Sequence, residues 1–384
     1  MGFNESSHLC LSVNICGFLA LEFVPIRVHS WLAPMISPKP VNGRIIIDRT
    51  NSAWQSQQVQ EPCILPNPKD PARLVMLYSG VPKANRAYCA FGKAWASIDD
   101  PMTWHQDPGN PVFGPGKTGW DRGSIRLDTM LYIPEEDAYY IYYSGTIDQV
   151  QDNIGLAICP AGADGYSNLI WDNIVRHGTK PILPPEPAAP FRETYASQAA
   201  VMREWNAGAR RWDWHMYYSY RDKDRTLPGI RYASSTDGKT WQRHWHDADP
   251  RGLGHLFPSA PDSYYEWHQI MKIGGTYVLS MEVGPQFGKQ WRTVLAVSQH
   301  PVNGWQQLDP DTLLQVKWPG IYSEQTMFHV ATPAFYTFKG RHFLFTQACA
   351  RPGNDNYIDG NWELWGFACE RELKLPDGDV LMVP

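Results

Sequence analysis

The sequence predicts an all-β fold, a five-bladed β-propeller, and three observations support that prediction. The chain has 384 residues, among them 31 Gly, 32 Pro, 17 Trp and 19 Tyr. Turn-forming and aromatic residues in such numbers favour short strands joined by loops. No apolar pattern with the helical period is sustained along the chain, whereas one hairpin-like pattern recurs five times.

The recurring pattern is a hairpin that begins at a polar residue. The first copy runs from Glu61 to Gly80, and the second reads DTMLYIPEEDAYYIYYSG from Asp128; both end in Ser-Gly. The leading residues of the five copies are spaced by 67, 70, 70 and 64 residues: Glu61, Asp128, Gln198, His268 and Thr332. Spacing this regular indicates a structural repeat.

The second half of each unit adds two more strands. Segments such as GIRYASSTDGKTWQRH and TVLAVSQHPVNGWQQL give a third strand, a turn of small residues and a fourth strand centred on Trp. Four antiparallel strands per unit, repeated radially, make a propeller. Because GRIIIDRT (43–50) precedes the first copy, we expect this N-terminal strand to complete the fifth blade. The expected division is an extension or cryptic leader over 1–40 and one propeller domain over 41–384.

Composition restricts the partners. A net charge of −5 provides no basic surface for nucleic acid. Seven scattered cysteines without a Cys-x-x-Cys pair argue against a zinc module and a dense disulfide scaffold. The apolar stretch 8–24 contains Asn14 and Glu22 and lacks a basic start, so it is a poor signal peptide and a poor membrane span. We expect no membrane association, and location stays open between cytoplasm and secretion.

The predicted fold brings the leading residues together. The first strand of every blade lines the central channel, so these residues converge on one funnel with the upstream residues Arg126, Glu266 and His329. A ring of such groups is costly to build unless it meets polar partners or solvent. The ring differs from blade to blade, which favours one composite site over the repeated sites of a lectin. Trp54, Trp120 and Trp267 flank these strands as candidate sugar platforms or as core residues.

The pattern resembles the five-bladed propeller glycosidases. These are the arabinanases and xylosidases of glycoside hydrolase family 43 and their fructosidase, neoagarobiose hydrolase and mannoside phosphorylase relatives. The resemblance covers about residues 43–372 and rests on short motifs. It implies an enzyme that cleaves a furanoside or pyranoside bond of an oligo- or polysaccharide, with exo action expected.

The resemblance also implies residue roles. Glu61-Pro62 takes the place of the usual Asp-Pro and would be the base or nucleophile, while Asp128 matches the second-blade acid that tunes a pKa. The general acid is a third-blade Glu in the family; here that position is Gln198, so Glu193 is the expected acid, with Glu266 and His268 as rivals. The expected substrate contacts are Trp54, Gln57, Trp120, Arg126, Gln198, Glu266, Trp267, His268 and His329.

Cleavage needs one carboxylic acid to protonate the leaving oxygen and a carboxylate on the opposite face of the sugar. No cofactor and no metal are expected, although His329 could help to hold a structural cation at the axis. Two alternatives stay open. A phosphorylase would use Arg126 and His268, aided by Arg192 and Arg351, for phosphate; a carbohydrate-binding propeller would lack catalysis.

Overall fold

The computed structural model describes residues 43–85, 87–148, 152–222, 229–245, 263–285, 292–308, 329–349 and 362–384. The expected N-terminal extension, 1–40, lies outside these residues. Apart from two single-turn 3₁₀ helices, Arg49–Asn51 and Ala53–Gln55, the regular elements in these ranges are strands. Nothing helical in the described ranges has the length and apolar character needed to cross a bilayer.

In the described ranges, twenty strands form five antiparallel sheets of four, the blades. The first blade contains β2 (Gln58–Pro66), β3 (Arg73–Val81), β4 (Ala90–Ser97) and β5 (Asp100–Gln106). The second contains β6 (Ser124–Ile133), β7 (Ala138–Thr146), β8 (Asn153–Pro160) and β9 (Val175–Arg176). The third contains β10 (Glu193–Asn206), β11 (Arg211–Asp222), β12 (Gly229–Ser235) and β13 (Gln242–His244).

The fourth blade contains β14 (Ser263–Ile273), β15 (Thr276–Pro285), β16 (Arg292–Ser298) and β17 (Gln306–Gln307). The fifth contains β18 (His329–Phe338), β19 (Arg341–Cys349), β20 (Glu363–Cys369) and, as its outermost strand, β1 (Gly43–Ile47). Strand β1 pairs antiparallel with β20, so the N-terminal strand completes the last blade, as predicted. A final hairpin, β21 (Arg371–Lys374) and β22 (Val380–Val383), follows.

Apolar residues fill the space between each pair of neighbouring blades. Between the first and second blades, for example, Leu77 and Phe91 pack with Ile125 and Leu127. Comparable clusters join the second to the third blade, the third to the fourth, the fourth to the fifth and the fifth to the first. Burial of this surface is the main stabilising term of the ring, which holds the innermost strands in place.

The Ser-Gly ending of the first two hairpins has a packing reason. The indole of Trp54 lies over Gly80, and the indole of Trp120 lies over Gly145. A Cβ at Gly145 would come within 2.6 Å of the Trp120 ring, and one at Gly80 would overlap the Trp54 ring. Only glycine leaves room for this approach, so the two Trp occupy equivalent packing positions in the repeat.

Candidate active site at the propeller axis

Each innermost strand is interrupted by a β-bulge near its leading residue. Glu61, Gln198 and Thr332 have φ values of 54°, 57° and 48°, in the left-handed region that non-glycine residues seldom adopt. Bulges redirect side chains and are frequent beside active sites. The pairing register shifts at Gln60/Cys63, Leu127/Thr129, Ser197/Ala200, Glu266/His268 and Ala331/Ala334.

The strand register corrects one detail of the repeat. Gln60 pairs with Ser79 and Arg126 pairs with Ser144, so the residue equivalent to Glu61 in the second blade is Leu127. Asp128 therefore stands one residue further along its strand, as His268 does in the fourth blade. Sequence spacing could not resolve this shift, because a bulge adds a residue without altering the apolar pattern around it.

Neighbouring blades are tethered at the bulges by hydrogen bonds. In three blades a backbone N–H at the bulge of the innermost strand donates to a side chain on the second strand of the preceding blade. The contacts are Leu127 N to Ser79 Oγ at 3.0 Å, Gln198 N to Ser144 Oγ at 2.7 Å and Thr332 N to Glu282 Oε2 at 3.0 Å. These three hydrogen bonds fix the position of the bulges in the second, third and fifth blades relative to the preceding blade.

Glu61 is a buried carboxylate, 4% exposed, with few partners. Its Oε1 lies 3.7 Å from Nη1 of Arg126, which also donates to Oε1 of Gln60 at 3.3 Å. Among the described residues, neither Glu61 oxygen accepts a hydrogen bond of good geometry. Burial raises the pKa of Glu61, and Arg126 opposes that shift. A buried carboxylate without such hydrogen bonds can accept them from a ligand or from water.

Asp128 lies beside Glu61 and is better satisfied. Both of its carboxylate oxygens accept a hydrogen bond from Ser144 Oγ, at 2.9 Å. Burial raises the pKa of Asp128 well above its usual value, and the charge of Glu61 contributes in the same direction. Both carboxylates line a cavity of about 140 Å³ whose other lining residues come from the five innermost strands. The pair therefore faces a space to which all five blades contribute.

Glu266, in the fourth blade, faces the same region and is 5% exposed. Nη2 of Arg221 lies 3.8 Å from its Oε1, and the Gln198 side chain provides a hydrogen bond. Burial raises the pKa of Glu266 to about 7, against the opposing effect of Arg221 and Arg126. This value lets the carboxyl group keep its proton near neutral pH.

Three more charged residues of this region were missed by the sequence reasoning: Asp152, Arg221 and Glu282. Burial raises the pKa of Asp152 to about 6, while Arg126 and Arg221 oppose the shift. Burial, followed by the charge of Glu266, raises the pKa of Glu282 well above its usual value. The repeat itself contained a signal for Glu282. The equivalent position on the second strand is Ser in the first three blades, whereas the fourth blade has Glu there, in SMEVG.

Glu193, the expected general acid, lies in a different environment. Its Oε1 accepts hydrogen bonds from Arg231 Nη1 and the Tyr218 hydroxyl, both at 2.8 Å. Its Oε2 accepts from Arg243 Nε at 3.1 Å and from the backbone N–H of Glu186 at 3.0 Å. The side-chain partners lie on β11, β12 and β13, away from the innermost strand. The structure therefore does not bring Glu193 into the axial group, and its contacts are those of a structural ion pair.

The remaining predicted contacts fall into three sets. Trp54 and Trp120 pack on glycines, as described above. Gln57 is buried just before β2, and its backbone N–H donates to Val81 O at 2.9 Å. The side chains of Trp267, His268 and His329 lie outside the described part of the structure.

No cluster of three or more His, Cys, Asp or Glu in the described ranges is arranged to hold a metal ion. A structural cation held with His329 stays a prediction, since that side chain is not described. The described axial group therefore consists of carboxyl and guanidinium groups with amide and hydroxyl neighbours.

Neither a protein-family model nor a curated protein sequence matches the chain. Solved structures do. A protein solved as a complex with RGII superposes with a TM-score of 0.62 at 14% identity, over 87% of this chain and 92% of that one. An alpha-L-arabinofuranosidase from Podospora anserina, in complex with cellotriose, gives 0.58 at 10% identity, over 87% and 98%. A thermostable family-43 glycoside hydrolase gives 0.55 at 12% identity, over 84% and 92%. The likeness confirms the five-bladed propeller.

Proposed function

We propose that the chain is a glycoside hydrolase in which Glu266 is the general acid and Glu61 is the base or nucleophile. The observation that carries the proposal is that these two buried carboxyl groups lie at the axis with incomplete pairing. Burial raises the pKa of both groups, that of Glu266 to about 7, which suits a general acid. The Glu61 carboxylate lies 3.7 Å from Arg126, and neither of its oxygens has a hydrogen bond of good geometry from the described residues, which suits a base or nucleophile.

The chemistry follows from that pair. Glu266 donates its proton to the leaving oxygen, while Glu61 either removes a proton from the water that attacks the sugar carbon or attacks that carbon itself. In the second case the sugar stays bound to Glu61 until water, which gives a proton to the Glu266 carboxylate, displaces it. The first path inverts and the second retains configuration; they require the carboxyl groups to stand roughly 6.5–9.5 Å or 5–5.5 Å apart, respectively. Asp128 lies next to Glu61, and its Ser144 hydrogen bonds fix its orientation.

The proposed substrate is a furanoside or pyranoside end of an oligo- or polysaccharide. Gln198, Arg126 and Arg221 border the two carboxyl groups and offer donors for sugar hydroxyls. All of these groups converge on one axial site, and the action proposed there is exo, on a chain end. The solved relatives named as arabinofuranosidase and family-43 glycoside hydrolase, with one bound to cellotriose, support the substrate class.

The test is hydrolysis of a panel of aryl furanosides and pyranosides and of their oligosaccharides, in buffer without phosphate. Release of free sugar by the wild type, and its loss in Glu61→Gln, would support the proposal. Turnover that requires inorganic phosphate and yields a sugar phosphate would indicate the phosphorylase instead. Binding of an oligosaccharide without turnover, measured by calorimetry, would indicate a carbohydrate-binding propeller.

A further inference from the structure

The fourth blade departs from the first three blades at one buried position, where the fifth blade has Gln347. On the second strand of each of the first three blades this position is a serine: Ser79, Ser144 or Ser219. In the fourth blade it is Glu282, which is fully buried. The tether to the next blade does not require this change, because Ser79 and Ser144 already accept the following backbone N–H through one hydroxyl oxygen.

Glu282 has one oxygen more than the tether uses. Its Oε2 accepts the Thr332 N–H at 3.0 Å, as Ser79 and Ser144 do for the blades that follow them. Its Oε1 is buried and accepts no hydrogen bond from the described residues. An unmatched buried carboxyl oxygen is costly, since the group has lost water without a replacement. The extra oxygen therefore points to a role that a serine cannot fulfil.

The residue directly opposite Glu282 is Glu266, on β14. Paired residues on antiparallel strands have Cβ atoms about 4.5–5.5 Å apart on one face of the sheet, and like charges in that arrangement repel. The charged groups whose fields act on Glu282 are Glu266, Glu61 and Arg126. Those acting on Glu266 are Arg221, Arg126 and Asp152. Two buried carboxyl groups so placed cannot both ionise easily, so the pair retains at least one proton.

We propose that Glu282 is a positioning residue of this site: a neutral carboxylic acid, held through Oε2 by Thr332, whose Oε1–H donates a hydrogen bond to the carboxyl group of Glu266. The catalytic consequence rests on the proposed function. When Glu266 passes its proton to the leaving oxygen, the Glu282 hydroxyl stabilises the carboxylate that remains. Glu282 keeps its proton on Oε1 throughout the reaction. Glu282 therefore transfers no proton to the substrate.

The first experiment compares Glu282→Ser with Glu282→Gln. Serine is the residue that the first three blades use here, so it keeps the tether and the fold, which the melting temperature checks. It cannot reach Glu266, and kcat on an alkyl glycoside should fall about tenfold to a hundredfold with little change in KM. The alkaline limb of the pH profile should move to higher pH, because the ionised form of Glu266 loses a donor. The amide of Glu282→Gln can still donate, and should restore part of the rate.

A purely structural residue would give the opposite result: Glu282→Ser would equal the wild type in kcat and pH profile, which would overturn the proposal. The second experiment needs no substrate. The infrared difference spectrum of wild type minus Glu282→Gln at pH 7 should contain the C=O band of a protonated carboxyl group. Carboxylate bands in its place would overturn the neutral acid. If the wild type cleaves no glycoside, the proposed function fails while this spectrum still decides the state of Glu282.

Discussion

Two buried glutamates, Glu193 and Glu266, differ in what surrounds them. Glu193, 1% exposed, accepts four hydrogen bonds, two of them from guanidinium groups at 2.8 and 3.1 Å. Glu266, 5% exposed, has its nearest described guanidinium 3.8 Å away and a pKa raised to about 7. Burial is almost equal, so burial alone does not distinguish the two roles.

The difference between the two glutamates lies in how completely each carboxyl group is paired. In the third blade the cost of burying a carboxylate is offset by complete pairing, which is the arrangement of a structural ion pair. At the axis, Glu61 and Glu266 have incomplete pairing, which leaves their protons and lone pairs available for reaction. Each prediction below tests one side of this contrast.

The largest effect is expected for Glu61→Gln. Loss of the base or nucleophile should lower kcat on the order of a thousandfold or more, because the amide can neither accept the proton nor attack. The unfolding free energy should change little, since the amide is isosteric and the carboxylate has few partners to lose. Glu136→Gln, on an exposed turn, is the matched control for rate. An unchanged kcat in Glu61→Gln would remove Glu61 from the mechanism.

The second prediction concerns stability in the third blade. Glu193→Ala leaves Arg231, which is 1% exposed, without its carboxylate partner. Removing one member of a buried ion pair costs about 3–5 kcal/mol, measurable by urea unfolding. Glu266→Ala should cost less, because no close ion pair is broken. Equal losses in the two variants would contradict the distinction drawn between them.

The third prediction is a pH dependence of stability. The pKa of Glu266 in the folded state, about 7, lies above the ordinary value of 4.5. The folded protein therefore holds this proton more tightly, so the contribution to stability is complete below pH 4.5 and is lost as the pH rises through 7. The loss is on the order of 3 kcal/mol. Melting curves of Glu266→Gln should show a smaller decline between pH 5 and 8 than those of the wild type.

The smallest effect is expected at the glycines that carry the Trp rings. Gly80→Ala should destabilise the protein by about 1–3 kcal/mol, because the added methyl group overlaps the Trp54 ring. Gly208→Ala is the control, since the nearest atom to its new Cβ is 3.5 Å away. Equal melting temperatures for the two variants would show that Trp54 moves aside without cost.

The fold could be predicted from the sequence because the repeat is a long-range signal. Five hairpins at nearly constant spacing, and a strand before the first of them, determine both the number of blades and the closure by β1. Register within each blade is a local property. The bulges shift Asp128 and His268 by one position, and no apolar pattern marks where the extra residue lies.

The candidate site could be predicted only where its residues stand on the innermost strands. Glu61, Asp128, Gln198 and Glu266 stand at or near the leading positions of the repeat, so the sequence predicts their place near the axis. Glu282 lies on a second strand, and Asp152 and Arg221 lie just before or at the end of other strands, so the search of leading positions missed them. Glu193 lies outside the axial group for a geometric reason: five residues of extended strand span roughly 16 Å, which separates it from the bulge at Gln198.

The most direct test of the central claim is the leaving-group dependence of Glu266→Ala beside Glu193→Gln. A general acid is needed for an alcohol leaving group but much less for nitrophenolate, which departs without a proton. We predict that Glu266→Ala loses about 10²–10⁴-fold on an alkyl glycoside, keeps most activity on the nitrophenyl glycoside and flattens the alkaline limb of the pH profile. Folded Glu193→Gln should lower both rates by the same modest factor. If Glu193→Gln shows the selective loss and Glu266→Ala does not, the acid lies in the third blade and the assignment made from the axial group is wrong.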